Sequence, residues 1–386
     1  MKDKIKQILR EDIIREERVQ MNMPIPDDIR QIKDVFVKNG HKLFVVGGAV
    51  RDALLGKTPK DYDLATDAVP DKVEDMMADA GFKTLPTGKA FGVINVFTDS
   101  DEYEIATFRE DLSGGRRPDA VRFTDIETDV KRRDLTINAL FYDIDTGEVV
   151  DLVGGIDDLK NGVVRTVGAA EDRFGEDRLR ILRAIRFAGR FGSGLDPAVD
   201  AALKKDNSLE GVSPERIRDE LLKGIKTAKN VKHFLSLIDD YKLWESIFPG
   251  LKISKTDRVN DKDPIIVIAN TLKDNDPNVI AKELNKLTYS SSEVKVITFL
   301  IALQQFVNPE QVYKFKKLQS KSGIEDTQIL KFGMLARLNG ELITSFVKFE
   351  LSVTGDQVQR ELGVKPGPEM GKAIEKMEIE NFKNLL

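Results

Sequence analysis

Short β-branched runs punctuated by glycine fill the first half of the chain, and helical periodicities fill the second. Residues 43–46, 93–97, 102–107 and 139–143 read as strands set among helix-like stretches, which predicts a mixed α/β head. Beyond about Glu171 apolar positions recur at helical spacing almost without a break. Ser213-Pro214-Glu215-Arg216 sets an N-cap serine before a proline at the first helical position, and Phe248-Pro249-Gly250 is a stop. Glycine follows the same division, 18 of the 28 lying at or before Gly194, so turns are frequent first and sparse afterwards. Residues 1 to about 22 carry Ile5, Ile8, Leu9 and Ile13 on one helical side and end at Pro24 and Pro26, predicting an amphipathic helix that docks rather than anchors in a membrane. The segment from Glu176 to Arg190 is predicted as a single helix. Ile181, Leu182, Ile185 and Ala188 form its packing side, and Glu176, Arg180, Arg183, Arg186 and Arg190 its polar side.

Composition narrows the chemistry. The 386 residues amount to roughly two to three domains. With 41% hydrophobic and 32% charged residues, the chain can build a core beneath a hydrated surface. Zero cysteines exclude disulfides, thiolate nucleophiles and cysteine-based metal sites, and two histidines, His41 and His233, exclude a histidine-rich cage. Catalysis must therefore run on carboxylates and arginines. No stretch approaches 18 uninterrupted apolar residues and the N-terminal region is charged throughout, so cytoplasmic residence is the expectation. The formal charge of -5 argues against coating nucleic acid by bulk charge, but leaves room for a local basic groove.

The densest chemistry lies at Leu43-Phe44-Val45-Val46-Gly47-Gly48-Ala49-Val50-Arg51-Asp52, a strand running through paired glycines into a helix. Gly47 and Gly48 let backbone N–H groups approach a phosphate, the helix start adds its dipole, and Arg51 can fork onto phosphate oxygens. An ordinary strand-to-helix turn is the competing reading. Gly56-Lys57-Thr58 imitates a Walker A loop, but the glycine required five residues earlier is Arg51, so that reading fails. Asp61 and Asp63 are two apart in an extended segment, share one face, and can jointly hold hard cations such as Mg²⁺, which suggests two-metal chemistry. Glu104 is the best-placed third acid, with Glu102 as its competitor. An Asp-x-Asp pair standing alone would be a surface turn.

The combination of Gly47-Gly48-x-Val50-Arg51-Asp52 with Asp61-x-Asp63 resembles the core of bacterial-type (class II) tRNA nucleotidyltransferases, the CCA-adding enzymes, and their relatives the bacterial poly(A) polymerases. The resemblance continues in order through Arg132-Arg133-Asp134-Leu135-Thr136-Ile137-Asn138-Ala139, Asp151-Leu152-Val153-Gly154-Gly155-x-Asp157-Asp158-Leu159 and Glu176-Asp177-x-x-Arg180, and covers residues from about 40 to 225. It implies an α+β, polymerase-β-like nucleotidyltransferase head with a mostly parallel or mixed small sheet, followed by all-α neck, body and tail in an elongated, seahorse-like outline. The corresponding boundaries are 1–27 for a helical extension, 28–160 for the head, 161–225 for the neck, 226–292 for the body and 293–386 for the tail.

On the matching positions the resemblance assigns Asp61, Asp63 and Glu104 to catalysis, with Asp61 and Asp63 as Mg²⁺ ligands, and Gly47, Gly48, Arg51, Arg133, Asp134 and Asn138 to nucleotide binding. Arg132 reads equally as a solvated charge. Asp177 and Arg180 lie i and i+3 on the predicted helix. A carboxylate accepts from the exocyclic amine of cytosine or adenine while a guanidinium donates to cytosine N3 or adenine N1, and guanine and uracil present the reverse pattern. Arg183 and Arg186 support the base reader and the triphosphate. The segment Arg109-Glu110-Asp111-Leu112-Ser113-Gly114-Gly115-Arg116-Arg117-Pro118-Asp119 matches the flexible loop associated in the family with the switch to adding A. Gly154-Gly155 is expected to be a hinge between head and neck.

The implied activity is template-independent addition of CCA to the 3′ end of tRNA from CTP and ATP, without a membrane or a required protein partner. A poly(A) polymerase or A-adding-only enzyme is the alternative within the family, and a catalytically inactive tRNA-binding protein the alternative outside it. Two departures stand out. A His-Gly pair common in the family is replaced within Thr87-Gly88-Lys89-Ala90-Phe91-Gly92-Val93, and two histidines cannot build an appended His-Asp phosphohydrolase. Lys314, Lys316 and Lys317 can hold a tRNA arm or simply form a solvated helix face.

Overall fold

The structure, a computed structural model, describes residues 16–112, 120–256 and 259–386. They fall into two compact units, one ending at Glu210 and the other beginning at Gly211, a division inside the stretch 161–225 expected as one neck.

The first unit is built on a mixed eight-stranded sheet in the order β1-β10-β9-β2-β3-β6-β5-β4. Its strands are β1 Glu17–Gln20, β2 Leu43–Val46, β3 Asp63–Thr66, β4 Lys83–Gly88, β5 Val93–Phe97, β6 Glu102–Thr107, β9 Leu140–Asp143 and β10 Glu148–Asp151. A separate hairpin pairs β7 Arg109–Asp111 with β8 Val121–Phe123. Every pairing in the large sheet is antiparallel except β3 with β6. The central strands β2 and β9 are buried at every position, which is why Leu-Phe-Val-Val and Leu-Phe-Tyr-Asp carry runs rather than alternation. Helices Asp27–Lys38 and Pro70–Asp79 bury Ile29, Ile32, Phe36, Val73 and Met76 in one apolar cluster with Val45, Leu64, Ile94 and Ile105. A second cluster centres on Phe44, Phe108 and Phe141, whose ring centroids lie 5.7–6.3 Å apart.

Three expectations need correction. Glu17–Gln20 form a strand rather than part of a helix: they pair along β10, whose free edge supplies backbone partners that override the helical apolar pattern. Residues 1–15, with Ile5, Ile8, Leu9 and Ile13, lie outside the described residues. The single helix expected from Glu176 to Arg190 is two, Ala170–Glu176 and Leu179–Phe191, because Asp177 is extended and its carboxylate accepts from the Leu179 N–H at 3.1 Å, starting the second helix afresh. Gly154-Gly155 is a pinned turn rather than a hinge. The buried Asp151 carboxylate accepts from the N–H groups of Val153, Gly154 and Ile156, and a Cβ on Gly155 would stand 2.2 Å from the Thr136 carbonyl oxygen.

The second unit is helical. Its first helix, Pro214–Thr227, begins after Ser213 as expected, and Gly224 lets it approach Val231–Asp240 so closely that a Cβ there would meet Phe234 Cζ at 2.2 Å. Asp263, Asp276 and Ser290 cap Pro264–Leu272, Pro277–Lys286 and Ser291–Ala302. Phe306 packs against Phe315, Phe346 and Phe382 farther on. Lys316 stands over Phe346 at 4.5 Å and burial pulls its ammonium below the usual lysine range, so this lysine is not a fully solvated charge. Among the described residues, no helix is long and apolar enough to cross a membrane.

Candidate active site

Sheet register gathers the acids. Phe141 pairs with Val46, and Val46 with Asp63, the exposed residue that opens β3. The parallel pairing of Leu64 with Ile105 puts Glu104 beside Asp63 one step earlier, and Glu104 pairs in turn with Asn95 on β5. Leu64 and Ile105 point into one apolar cluster, so Asp63 and Glu104 share the opposite face. Tyr62, between the two aspartates, turns the other way and donates to the Pro24 carbonyl at 2.6 Å. Glu102 precedes the β3–β6 pairing and its carboxylate is held by the Asn95 amide, which favours Glu104 as the third acid. Although its surface is exposed, neighbouring protein keeps enough water from the Asp63 carboxyl to push it above its ordinary value; Arg133 opposes the shift and Asp61 adds to it. Crowded hard oxygen donors of this kind suit a divalent cation. Among the described residues no three acidic or histidine side chains are grouped so as to hold a cation by themselves.

The glycine turn opens at the same end of the sheet, after Val46. Gly47 has φ +70°, a conformation that favours glycine, and Gly48 begins the helix Gly48–Leu54. Arg51 lies beneath this turn instead of forking outward. It is 5% exposed, its Nη2 is 3.5 Å from where a Gly48 Cβ would stand, and its Nη1 donates to Asn138 Oδ1. The Asn138 amide reaches Asp134 at 3.5 Å, and Arg183 Nε donates to the other Asp134 oxygen. Burial pushes the Asp134 carboxyl up, but Arg183 and the Leu135 N–H outweigh it and hold the group below the usual carboxylate range. Arg51, Asn138, Asp134 and Arg183 thus form one chain of contacts from the glycine turn to the helix Leu179–Phe191.

Arg133 is placed by a residue that sequence reasoning missed. Asp129, 1% exposed, accepts from Arg133 Nε and Nη2, from Arg132 Nε and from the backbone N–H of Arg109. The Arg133 guanidinium lies 4.4 Å from the Phe141 ring centroid, beside the row that contains Asp63. Spacing offered the signal, since Asp129 stands three residues before Arg132 and four before Arg133. Arg109, the stem of the expected flexible loop, also donates to the Phe91 carbonyl; residues 113–119 lie outside the described residues.

Arg180 does not sit against the Asp177 carboxylate on a shared helix face. Its Nη1 pairs with Glu176 and with the Arg173 carbonyl, and its Nη2 donates to the Arg132 carbonyl at 3.0 Å. Asp177 and Arg180 are still neighbours through the turn, where the Arg180 N–H donates to the Asp177 carbonyl at 3.0 Å. Arg186 is buried at 8% exposure with its guanidinium 4.3 Å from the Phe187 ring centroid.

Known proteins are similar to this chain in sequence and fold. Residues 43–165 match the family described as poly A polymerase head domain, and residues 195–254 match the probable RNA and SrmB-binding site of polymerase A. A CCA-adding enzyme of Ligilactobacillus salivarius is 33% identical over 92% of this chain and 93% of its own length. The CCA-adding enzyme of Bacillus subtilis is 42% identical over 56% of this chain and 54% of its own. Among solved structures, the Bacillus stearothermophilus CCA-adding enzyme in complex with CTP superposes with a TM-score of 0.70 at 25% identity, covering 94% of each chain. The Thermotoga maritima CCA-adding enzyme complexed with tRNA-CCA shares the fold, with a TM-score of 0.70 at 22% identity over 95% of each. With the cross-strand acids, the glycine turn and this whole-length likeness together, the chain belongs to the bacterial-type CCA-adding enzymes, a family of nucleotidyltransferases.

Proposed function

We propose that this chain adds CMP, CMP and AMP in turn to the 3′ end of tRNA, in the cytoplasm, using CTP and ATP and no nucleic-acid template. The observation that carries the reading is the register placing Asp63 beside Glu104 on one face, at the sheet end where Gly47 and Gly48 open. The full-length relative, a CCA-adding enzyme, supports the choice of reaction.

In each cycle the terminal ribose hydroxyl oxygen bonds to the α-phosphorus, the bond to the bridging oxygen breaks, and pyrophosphate leaves while the hydroxyl proton passes to solvent. Asp61 and Asp63 would hold Mg²⁺ with Glu104 completing the acidic set. Bound there, the cations supply Lewis acidity that favours the hydroxyl's ionised form and offsets charge on the leaving group. The Gly47 N–H is spent on the Leu140 carbonyl at 3.1 Å, so the Gly48 N–H receives a phosphate oxygen, with the Arg51 charge beneath it, and Arg133, braced by Asp129 and Phe141, faces the same nucleotide. Asp177 and Arg180 read the base: Asp177 accepts from the amine of C or A, and Arg180 donates to the adjacent ring nitrogen after exchanging its contacts with Glu176 and the Arg132 carbonyl. A wrong base costs about 1–3 kcal/mol by analogy with bidentate base contacts elsewhere. Residues 195–254, which match an RNA-binding region, and the helices beyond them engage the tRNA.

The test supplies nucleotides singly to tRNA ending at its discriminator base. CTP alone extends it by two residues, and CTP with ATP by three. Extension by ATP alone with no cytidine incorporated would instead identify a poly(A) polymerase, and a single A added only to tRNA already ending in CC an A-adding enzyme.

A further inference from the structure

One carboxylate near the glycine turn has no role in the reaction as described above. Asp52 follows Arg51 on the helix Gly48–Leu54, and its oxygens receive contacts from two guanidiniums. Arg51 reaches Asp52 Oδ1 through Nε at 3.0 Å and Nη2 at 2.9 Å, while Arg190 Nη2 meets Oδ1 at 2.9 Å and Oδ2 at 3.1 Å. Arg51 and Arg186 both stack on Phe187, with guanidinium carbons 4.9 and 4.3 Å from its ring centroid. Arg51 therefore carries its charge in a buried setting where Arg190 and Arg186 both repel it and Asp52 attracts it. Like charges this poorly solvated keep their places only against a fixed counter-charge.

Arg190 sits in the last turn of the helix Leu179–Phe191. Arg180 stands near the other end of that helix, about 15 Å away along the axis at 1.5 Å per residue. Between them Arg183 ties the helix to Asp134, and through Asn138 to Arg51. Near its start the helix is held by the Arg180 contact with the Arg132 carbonyl and along its length by its buried side. Arg190 and Asp52 tie its last turn, and this tie and the one through Arg183 converge on Arg51 beneath the glycine turn.

We propose that Arg190 is a positioning residue for nucleotide selection: by pairing with Asp52 it fixes the Leu179–Phe191 helix against the glycine turn, so that triphosphate and base are held at one set separation. The inference rests on the functional reading above. A protein template lacks the base stacking and backbone spacing of a nucleic-acid one, and here the length of a clamped helix stands in for both. Loosening the clamp lets a wrong base settle with its triphosphate in place, and a right base settle with its triphosphate displaced.

Incorporation kinetics on tRNA lacking its terminus, with CTP, ATP and UTP each measured, test this in wild type, Arg190→Ala, Arg190→Lys, Asp52→Asn and the double variant Arg190→Ala/Asp52→Asn. Arg190→Ala is expected to raise KM for CTP and ATP alike by about tenfold, the equivalent of about 1.4 kcal/mol, with kcat changing much less than KM. The preference for CTP over UTP falls in the same variant. Arg190→Lys recovers a large part of both losses, and the double variant is no worse than the worse single one, since the pair acts as a unit. Wild-type KM and preference in a folded Arg190→Ala chain, or losses that multiply in the double variant, would overturn the proposal. Should Arg190→Ala not fold, Asp52→Asn decides, and wild-type kinetics there are equally fatal. A wild-type chain that incorporates neither CTP nor ATP overturns the functional reading and this inference together; an active wild type with an indifferent Arg190→Ala overturns the inference alone.

Discussion

Asp129 shows what a buried charge needs in order to stay. At 1% exposure its carboxylate is unfavourable unless paired, and Arg133, Arg132 and the Arg109 N–H outweigh burial and hold it below the ordinary carboxylate range. Asp129→Ala would strand two guanidiniums, and a loss of about 3 kcal/mol or more is expected in denaturant unfolding. Because the folded-state pKa is depressed, the stabilisation is complete above the unfolded carboxylate value of about 4 and fades as pH falls through the lower folded value. Wild type should therefore lose its advantage over Asp129→Asn on acidification below about pH 4, as followed by melting temperature; a gap unchanged by pH would contradict this. Gly155 offers a second contrast. Gly155→Ala forces a Cβ against the Thr136 carbonyl and should destabilise by at least about 2 kcal/mol, whereas Gly175→Ala, in a helix with open space around it, should stabilise by up to about 1 kcal/mol. The Asp61-x-Asp63 pair was legible in the sequence from its spacing of two, although only Asp63 lies in a strand. The burial of Arg51 was not, because its partner Asn138 lies 87 residues away and only the folded sheet brings the two together.

At the scale of elements, strands with unbroken apolar or β-branched runs could be read directly: β2, β5 and β6 have the bounds expected, and β9 starts one residue late. These strands are buried on one or both faces, so local composition and final environment agree. β1 escaped because its pairing with β10 depends on an edge formed from residues 148–151, far along the chain. Asp177 escaped for a different reason: its side chain competes for the Leu179 N–H, which ends one helix and begins another where apolar periodicity alone runs straight through. Removing residues 1–20 strips β10 of one of its two strand partners, leaving β9, and uncovers neighbours of Val19, and should lower stability by about 2 kcal/mol or more. An unchanged melting temperature would show that β1 contributes nothing to the first unit.

Over the whole molecule, a formal charge of -5 coexists with arginines gathered around the glycine turn and Asp129. Those arginines are buried or paired, so binding to tRNA should rest on lysines and arginines left at the surface and weaken steeply between low and moderate salt; affinity indifferent to ionic strength would contradict it. The carboxylates of the Asp63 row carry the central claim, and they are exposed enough to be replaced without opening the core. The most direct measurement is pyrophosphate release together with labelled CMP and AMP incorporation into tRNA lacking its terminus, comparing wild type with Asp61→Ala/Asp63→Ala in the presence of Mg²⁺. The double variant should fold and bind tRNA yet lose incorporation by at least about a thousandfold, the scale of a lost two-metal site. Incorporation at the wild-type rate would place the reaction elsewhere and contradict the account.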